Sequence, residues 1–111
     1  MYVINRTPHH VEIRTPDGNI SVRPSGIVAR VATTEESLPW VGSIPIVRRT
    51  FGKVEGIDGI PEEAICIVSS LVLEAAKAQG CADRLYAPDT GPTAIRDESG
   101  QIVAVTRLVG A

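Results

Sequence analysis

The sequence predicts a β-rich α+β domain, a curved sheet or partly closed barrel of short strands with one main helix and a C-terminal β-hairpin. Three observations predict this class. The apolar residues are mostly β-branched or small, and aromatic residues make up only 4% of the chain. Ten glycines and eight prolines divide the chain into short segments, as turns between strands do. Residues 71–79 carry good helix formers and no glycine.

Apolar runs between turn signals predict the strands. His10–Arg14 alternates in polarity as a half-buried strand does, and the apolar run Ala64–Val68 predicts a central strand buried on both faces. Pro45 places the start of a strand over 44–50 at a sheet edge, and a glycine bend continues it to residue 56. Further strands are expected at 2–5, 20–23 and 27–32, and residues 33–41 are expected to form an exposed loop.

The single main helix has signals at both ends. Ser69 or Ser70 is expected to cap its first turn, and Gly80 is expected to end it. The residues expected to cover the sheet are Leu71, Val72, Ala75 and Ala78.

The C-terminal segment joins a stiff turn to two strands. Pro88 and Pro92 flank Asp89-Thr90-Gly91, and a hairpin is expected within residues 93–109. This hairpin either folds back or projects onto a neighbouring subunit. Residues 1–111 form a single domain at this length. Because so few aromatics leave a thin core, we expect the protein to self-associate.

Charge and cysteine usage exclude several classes of protein. The formal net charge is −2 and the chain has no basic run, so duplex nucleic acid is not an expected partner. The sequence has neither a signal peptide nor an apolar run long enough to span a membrane, which predicts a soluble cytoplasmic protein. Cys66 and Cys81 are expected to be reduced and packed, without a disulfide.

Asp89-Thr90-Gly91 is the three-residue signature of aspartic proteases, but its surroundings are wrong for that role. Those enzymes place the motif after a hydrophobic strand in the first third of the chain, whereas here prolines flank it and 19 residues follow Pro92. We interpret Asp89 and Thr90 as caps of the turn and Gly91 as its positive-φ residue.

Other catalytic and metal-binding patterns are weak. His9 and His10 would point to opposite faces of a strand, so a solvated or hydrogen-bonded pair is favoured over a metal site. The sequence has no nucleophile elbow, phosphate loop or dinucleotide fingerprint. We therefore expect no catalysis, no cofactor and no bound metal.

Arginines on or beside strands are the best candidates for binding a small anionic ligand, because guanidinium groups hold phosphate through paired hydrogen bonds. Tyr86 could stack on a base, and hydroxyl groups beside glycines add donors. The alternative is that these arginines form surface ion pairs with neighbouring acids. The candidate ligand-binding residues are Arg96, Arg107, Asp89, Thr90, Tyr86, Ser25, Arg30 and Arg48.

Several fragments of the chain form a recognisable set when they are taken together. They are Asn5-Arg6-Thr7-Pro8-His9, Pro24-Ser25-Gly26 before a strand with Arg30, Phe51–Gly56, Ile67–Val72 and Arg96–Gly100. In these fragments the chain resembles a group of short phage and prophage proteins that includes the first Thoeris anti-defence family.

The resemblance implies a small β-rich protomer assembled into dimers and hexamers. It implies binding of cyclic ADP-ribose isomers made by a TIR-domain enzyme, or of cyclic oligonucleotides, as a sponge that does not cleave them. The ligand would lie between subunits, with the C-terminal strands reaching the partner. The alternative is a small phage or bacterial structural or accessory assembly protein without a small-molecule ligand.

Overall fold

The computed structural model describes residues 2–111 and confirms the β-rich α+β class. The strands form one four-stranded sheet and three two-stranded sheets, which are neither closed nor curled, so the expected barrel or curved sheet was wrong. The elements are β1 (Tyr2–Asn5), β2 (Val11–Thr15), β3 (Gly18–Val22), β4 (Arg30–Val41), β5 (Ile44–Glu55), β6 (Ala64–Ile67), α1 (Ser70–Ala78), β7 (Leu85–Pro88), β8 (Ile95–Arg96), β9 (Ile102–Ala104) and β10 (Leu108–Gly110).

The main sheet has the order β1-β6-β7-β10. β6 lies between two parallel neighbours, β1 and β7, and β10 is an antiparallel edge strand on β7. Cys66 and Ile67 are fully buried, as the continuous apolar run of this strand predicts. The expectation of a central strand buried on both faces is confirmed.

Helix α1 connects β6 to β7 and covers the sheet. The Ser69 hydroxyl accepts a hydrogen bond from the Val72 amide, and Gly80 ends the helix at φ 73°. The buried stripe differs from the expected one: Val72, Leu73, Ala75 and Ala76 pack inward, while Leu71 and Ala78 are exposed. Ala75 and Ala76 are both small enough to pack against the sheet. The buried side of the helix is therefore rotated relative to the expected one. At nine residues α1 is too short to cross a bilayer, and no helix within residues 2–111 is long and apolar enough to do so.

The core is built from small side chains in two clusters. One lies between α1 and the main sheet and includes Val68, Leu73 and Leu85, and the other joins Val11, Ile13 and Val105 to Ile67. Cys66 is buried and Cys81 packs at the edge of the first cluster, and the two are not bonded to each other. Burial raises the pKa of the Cys66 thiol, which favours the unreactive neutral form.

Asn5, at the end of β1, is 1% exposed and fixes the chain that follows it. Its side-chain oxygen accepts hydrogen bonds from the amide of Thr7 at 2.9 Å and from its hydroxyl at 2.6 Å. Its side-chain nitrogen donates to the carbonyl oxygens of His9 at 2.8 Å and Val22 at 3.1 Å. The segment after β1 and the hairpin of β2 and β3 are therefore held together by one amide.

Two arginines hold the loop between β5 and β6. Arg6 is 6% exposed and donates through Nη1 to the carbonyl oxygens of Gly56 and Asp58, both at 2.7 Å. Arg84 donates from the other side to the carbonyl oxygens of Ile60 and Pro61. The charge of each guanidinium strengthens these bonds, which give a loop without regular structure a fixed path.

β4 and β5 form a long antiparallel ribbon that projects from the body. The expected loop at 33–41 was wrong, because these residues continue β4, and the strand expected over 27–32 begins only at Arg30. Beyond Val31 and Val54, which contact the core, the ribbon is almost wholly exposed. The Cα radius of gyration is 16.4 Å, against about 13 Å for a compact chain of this length.

The C-terminal residues fold back onto the body. β8 pairs with β9 as a short irregular hairpin, and β10 then returns to the main sheet beside β7. Val105 is 4% exposed, accepts a hydrogen bond from the Arg14 amide and donates one to the Glu12 carbonyl. The segment expected to form one hairpin over 93–109 therefore divides between a hairpin and a strand of the main sheet.

Removing the Asn5 amide is expected to destabilise the fold. Asn5→Ala leaves the Thr7 amide and the Val22 carbonyl without their partner, so we expect the free energy of unfolding to fall by about 2–4 kcal/mol. Urea denaturation measures this, and Asn19→Ala, on the exposed face of β3, is the control with an expected change below about 0.5 kcal/mol. Equal effects of the two substitutions would contradict the role given to Asn5.

Gly56 and Gly59 offer a matched test of close packing. Both have positive φ, 81° and 74°, but a Cβ at Gly56 would lie 2.6 Å from the Val28 carbonyl oxygen, whereas one at Gly59 would meet nothing within 4 Å. We expect Gly59→Ala to cost about 1–2 kcal/mol from backbone strain alone, and Gly56→Ala to cost clearly more. Thermal denaturation of both variants makes the comparison, and a Gly56→Ala variant as stable as Gly59→Ala would refute it.

Candidate functional site at the carboxyl ends of the parallel strands

A groove of about 500 Å³ lies where the three parallel strands of the main sheet end. Its walls come from the segment after β1, the start of α1 after β6, and the turn after β7, with β9 along one side. In sheets of this kind the carboxyl ends of parallel strands are the usual place for a ligand, because loops and helix N-termini converge there. The lining residues are Thr7, Pro8, His9, His10, Val11, Glu12, Ser69, Ser70, Pro88, Thr90, Ile102, Val103, Ala104 and Val105.

The groove combines an apolar side with a polar end. Ile102 and Val103, which are 38% and 43% exposed, contribute apolar side chains to the lining. Ser69 and Ser70 bring hydroxyl groups and the N-terminus of α1, whose positive end of the helix dipole favours anions. This arrangement can hold a ring against β9 and a negatively charged group against the start of the helix.

His10, Glu12 and Ser21 form a polar cluster at the rim of the groove. Glu12 accepts a hydrogen bond from the Ser21 hydroxyl at 2.6 Å, and Nε2 of His10 lies 2.9 Å from the same carboxylate oxygen and against the Ser21 hydroxyl. The bond from Ser21, together with the nearby His10, lowers the pKa of Glu12. A serine-histidine-acid relay needs serine and acid on opposite ring nitrogens, and here both meet Nε2. The expected hydrogen-bonded state of His10 is confirmed.

Four of the predicted ligand-binding residues lie together around the turn after β7, although only Thr90 among them lines the groove. Nε of Arg107 donates to Asp89 at 2.6 Å, and the Asp89 side chain is only 16% exposed while that of Arg107 is 64% exposed. Thr90 lines the groove, and its carbonyl accepts from Arg96 at 3.5 Å. Arg96 also donates to the Gly100 carbonyl at 2.7 Å, and its partners are neutral carbonyls of neighbouring segments.

The other four predicted residues lie outside the lining of the groove. Tyr86 packs against Gly110 of β10, where a Cβ would come within 3.1 Å of its ring. Ser25 is exposed and its hydroxyl donates to the Ile27 carbonyl. Arg30 is exposed at the start of β4, and Arg48 lies far along β5, where its Nη1 is 3.9 Å from Glu36. Within one chain, therefore, the eight residues do not lie together at one site.

Asp89 caps its turn as expected, but Gly91 does not have the expected conformation. The Gly91 amide donates to the Asp89 carboxylate at 3.0 Å, and the Thr93 hydroxyl donates to the other oxygen at 3.4 Å. Gly91 is not among the glycines with positive φ, so that part of the prediction was wrong. Its small size matters instead, because a Cβ would lie 3.1 Å from the Asp89 carboxylate. The bond from Arg107 and the Gly91 amide lower the pKa of Asp89.

Sequence reasoning missed most of the groove. Thr7, Val11, Ser69 and Val103 come from four segments that meet only in the folded chain. The available signal was topological: a strand, a helix with a serine cap and a second strand in succession predict a parallel pair whose carboxyl ends lie beside the helix N-terminus.

Comparison with family models, curated protein sequences and solved structures finds no match to this chain.

The lowered carboxyl pKa values predict a loss of stability in acid. The Asp97 pKa is lowered by the hydrogen bond from the Ser99 hydroxyl at 2.7 Å and the amides of Gln101 and Ser99. When the folded pKa lies below the unfolded one, the group stabilises the fold above its ordinary pKa of about 4, and this contribution disappears as pH falls through the folded pKa. We expect Asp97→Asn to be less stable than the parent at pH 7, with the difference closing as the pH falls below the ordinary carboxyl pKa of about 4. Urea denaturation across this range would reject the assignment if the difference stayed constant.

Proposed function

We propose that this protein binds and sequesters a small anionic nucleotide without cleaving it. The ligand class is a cyclic ADP-ribose isomer or a cyclic oligonucleotide that serves as an immune signal. The observation that carries the proposal is the groove at the carboxyl ends of β1, β6 and β7, which is lined both by apolar residues of β9 and by the N-terminus of α1.

The groups around the groove suit the parts of such a ligand. A base or ribose can lie against the apolar lining that β9 contributes, and a phosphate can take the amides and hydroxyls at Ser69 and Ser70. Arg96 stands at the Thr90 end with an exposed guanidinium and no carboxylate partner within salt-bridge distance among residues 2–111. Arg107 forms an ion pair with Asp89, so we assign it the role of positioning the turn. We assign the contact with the ligand to Arg96.

Sequestration requires affinity and stoichiometry rather than a nucleophile. A nanomolar dissociation constant corresponds to about −12 kcal/mol, which one stacked ring and several charge-assisted hydrogen bonds can supply. The resemblance to the first Thoeris anti-defence family supports the same role. We accordingly place the protein in the cytoplasm of an infected or lysogenic bacterium, as a homo-oligomer of dimers or hexamers that holds the signal between subunits.

A second candidate function is a structural or accessory assembly protein of a phage or bacterium without a small-molecule ligand. The projecting ribbon of β4 and β5 favours this role, since Trp40, Val41 and Ile44 are 63%, 64% and 59% exposed near its tip. The two functions differ in whether any nucleotide stabilises the protein.

The ligand proposal is tested with purified protein and a panel of cyclic ADP-ribose isomers and cyclic oligonucleotides. We expect one of them to raise the melting temperature and to be recovered intact and stoichiometric after the protein is denatured. Absence of any thermal shift would favour the assembly protein. Recovery of altered ligand, abolished in Asp89→Asn, would indicate a hydrolase instead.

Arg96→Ala is expected to weaken binding about tenfold, because one charge-assisted contact is lost, while the melting temperature of the free protein changes little. Val103→Trp, which fills the groove, should abolish binding. Lys77→Ala removes the same charge near the C-terminal end of α1, away from the groove, and is the matched control that should bind normally. Isothermal titration calorimetry compares the three, and equal loss in Lys77→Ala would argue for a nonspecific charge effect.

A further inference from the structure

The ribbon of β4 and β5 contains an arm, residues 33–51, with features that the proposed ligand site does not use. Its base is anchored by Val31 and Val54, and beyond them each strand pairs only with the other. A two-stranded hairpin in water is only marginally stable by itself, and three strands or a packed face are usually needed. An arm of this kind is expected to be stabilised by packing against another molecule.

The arm's two faces are different. Side chains alternate along each strand, so Thr33 and Glu35, opposite Phe51 and Arg49, share the face of Val31 that is turned toward α1. A shallow depression between Thr33, Glu35, Arg49 and Leu71 marks this side. The outer face, turned away from α1, carries three successive pairs: Thr34 with Thr50, Glu36 with Arg48, and Leu38 with Ile46.

Both faces are exposed, but only the outer face is unobstructed by α1 at the arm's base. At the arm's base the inner face lies next to α1. On this face Nη2 of Arg49 donates to Oε2 of Glu35 at 2.8 Å. On the outer face Arg48 and Glu36 are 3.9 Å apart and 61% and 67% exposed, so both retain capacity for another partner. Leu38 and Ile46 lie next to them as an apolar pair.

We propose that two copies of this chain associate through the outer faces of their arms, about a two-fold axis that runs along the arm. The inference rests on the self-association included in the proposed function, but not on the ligand.

The two-fold axis follows from the order of charges across the ribbon. Rotation about an axis along the arm exchanges its two strands, so Glu36 of one copy lies over Arg48 of the other, and Arg48 over Glu36. The same operation sets Leu38 over Ile46 in both directions. Rotation about an axis that crosses the arm at the level of this pair would set Glu36 over Glu36 and Arg48 over Arg48. Self-complementarity of this kind is what an isologous dimer interface requires.

Other occupants fit the arm less well. The two glutamates and two arginines of residues 33–51 cancel, so the arm lacks the positive charge that draws a protein to nucleic acid or to anionic lipid. Pro39 and Pro45 remove amide donors near the tip, which opposes pairing of an added strand along the arm's edges. Packing of faces is the remaining mode, and a second copy supplies the complementary charges.

The test uses charge reversal on the two faces, in the full chain without nucleotide. We expect the parent protein to sediment at twice the chain mass at micromolar concentration. Glu36→Arg and Arg48→Glu should each weaken self-association about tenfold or more, whereas an equimolar mixture of the two variants should recover a one-to-one dimer. Glu35→Arg and Arg49→Glu, on the inner face, are the matched controls and should dimerise within about twofold of the parent.

Three results would overturn the proposal: a monomeric parent, a mixture that stays monomeric, or inner-face variants that dissociate as readily as the outer-face ones. Trp40 is the chain's single tryptophan and reports on the tip by fluorescence. A monomer whose emission shifts to the blue on adding phosphatidylserine vesicles would identify a membrane as the occupant instead. Nucleotide binding is measured separately, so failure of the dimer and failure of the ligand proposal are distinguishable.

Discussion

The side-chain amide of Asn5 joins segments that are distant in the sequence, and the shape of the groove depends on it. Its oxygen accepts two hydrogen bonds from Thr7, and its nitrogen donates to the carbonyls of His9 and Val22. In a side chain that is 1% exposed, each unmade bond would carry the full cost of desolvation, so a conformation that satisfies all four is strongly selected. That conformation directs residues 7–11 along the groove and sets the hairpin of β2 and β3 beside the main sheet.

The body and the arm are stabilised by different means. In the body, small apolar side chains pack between α1 and the sheet, and the buried guanidinium of Arg6 holds the loop after β5. The arm has its own backbone ladder and surface ion pairs, which contribute little to stability in water. A rigid body suits a ligand groove, whose walls must keep their positions, while an exposed ribbon suits contact with another molecule. The two proposals therefore use separate parts of the chain.

The candidate site could be predicted from the sequence only where its parts are local. Asp89, Thr90, Arg96 and Arg107 meet because the turn at Pro88 and the short hairpin after it bring them together within 19 residues. Tyr86, on the same strand as the turn, could not be oriented, because its packing depends on Gly110 returning as β10. Ser25, Arg30 and Arg48 have side chains suited to binding an anion, but they lie elsewhere in the fold. The topology of the sheets decides which strands are neighbours, and the sequence pattern does not reveal it.

Local sequence patterns were enough to predict the α+β class, the buried strand β6, the helix with Ser69 and Gly80 at its ends, and most of the other strands. These features follow from local physics: apolar periodicity, capping hydroxyls and the conformational freedom of glycine. The strand at residues 33–41, in contrast, depends on pairing with a distant segment. Both faces of the arm are exposed, so its sequence does not alternate between polar and apolar residues. Its strand conformation is stabilised by backbone pairing between β4 and β5. The groove was decided in the same way, because its walls are neighbours through the parallel order β1-β6-β7 and not through the chain.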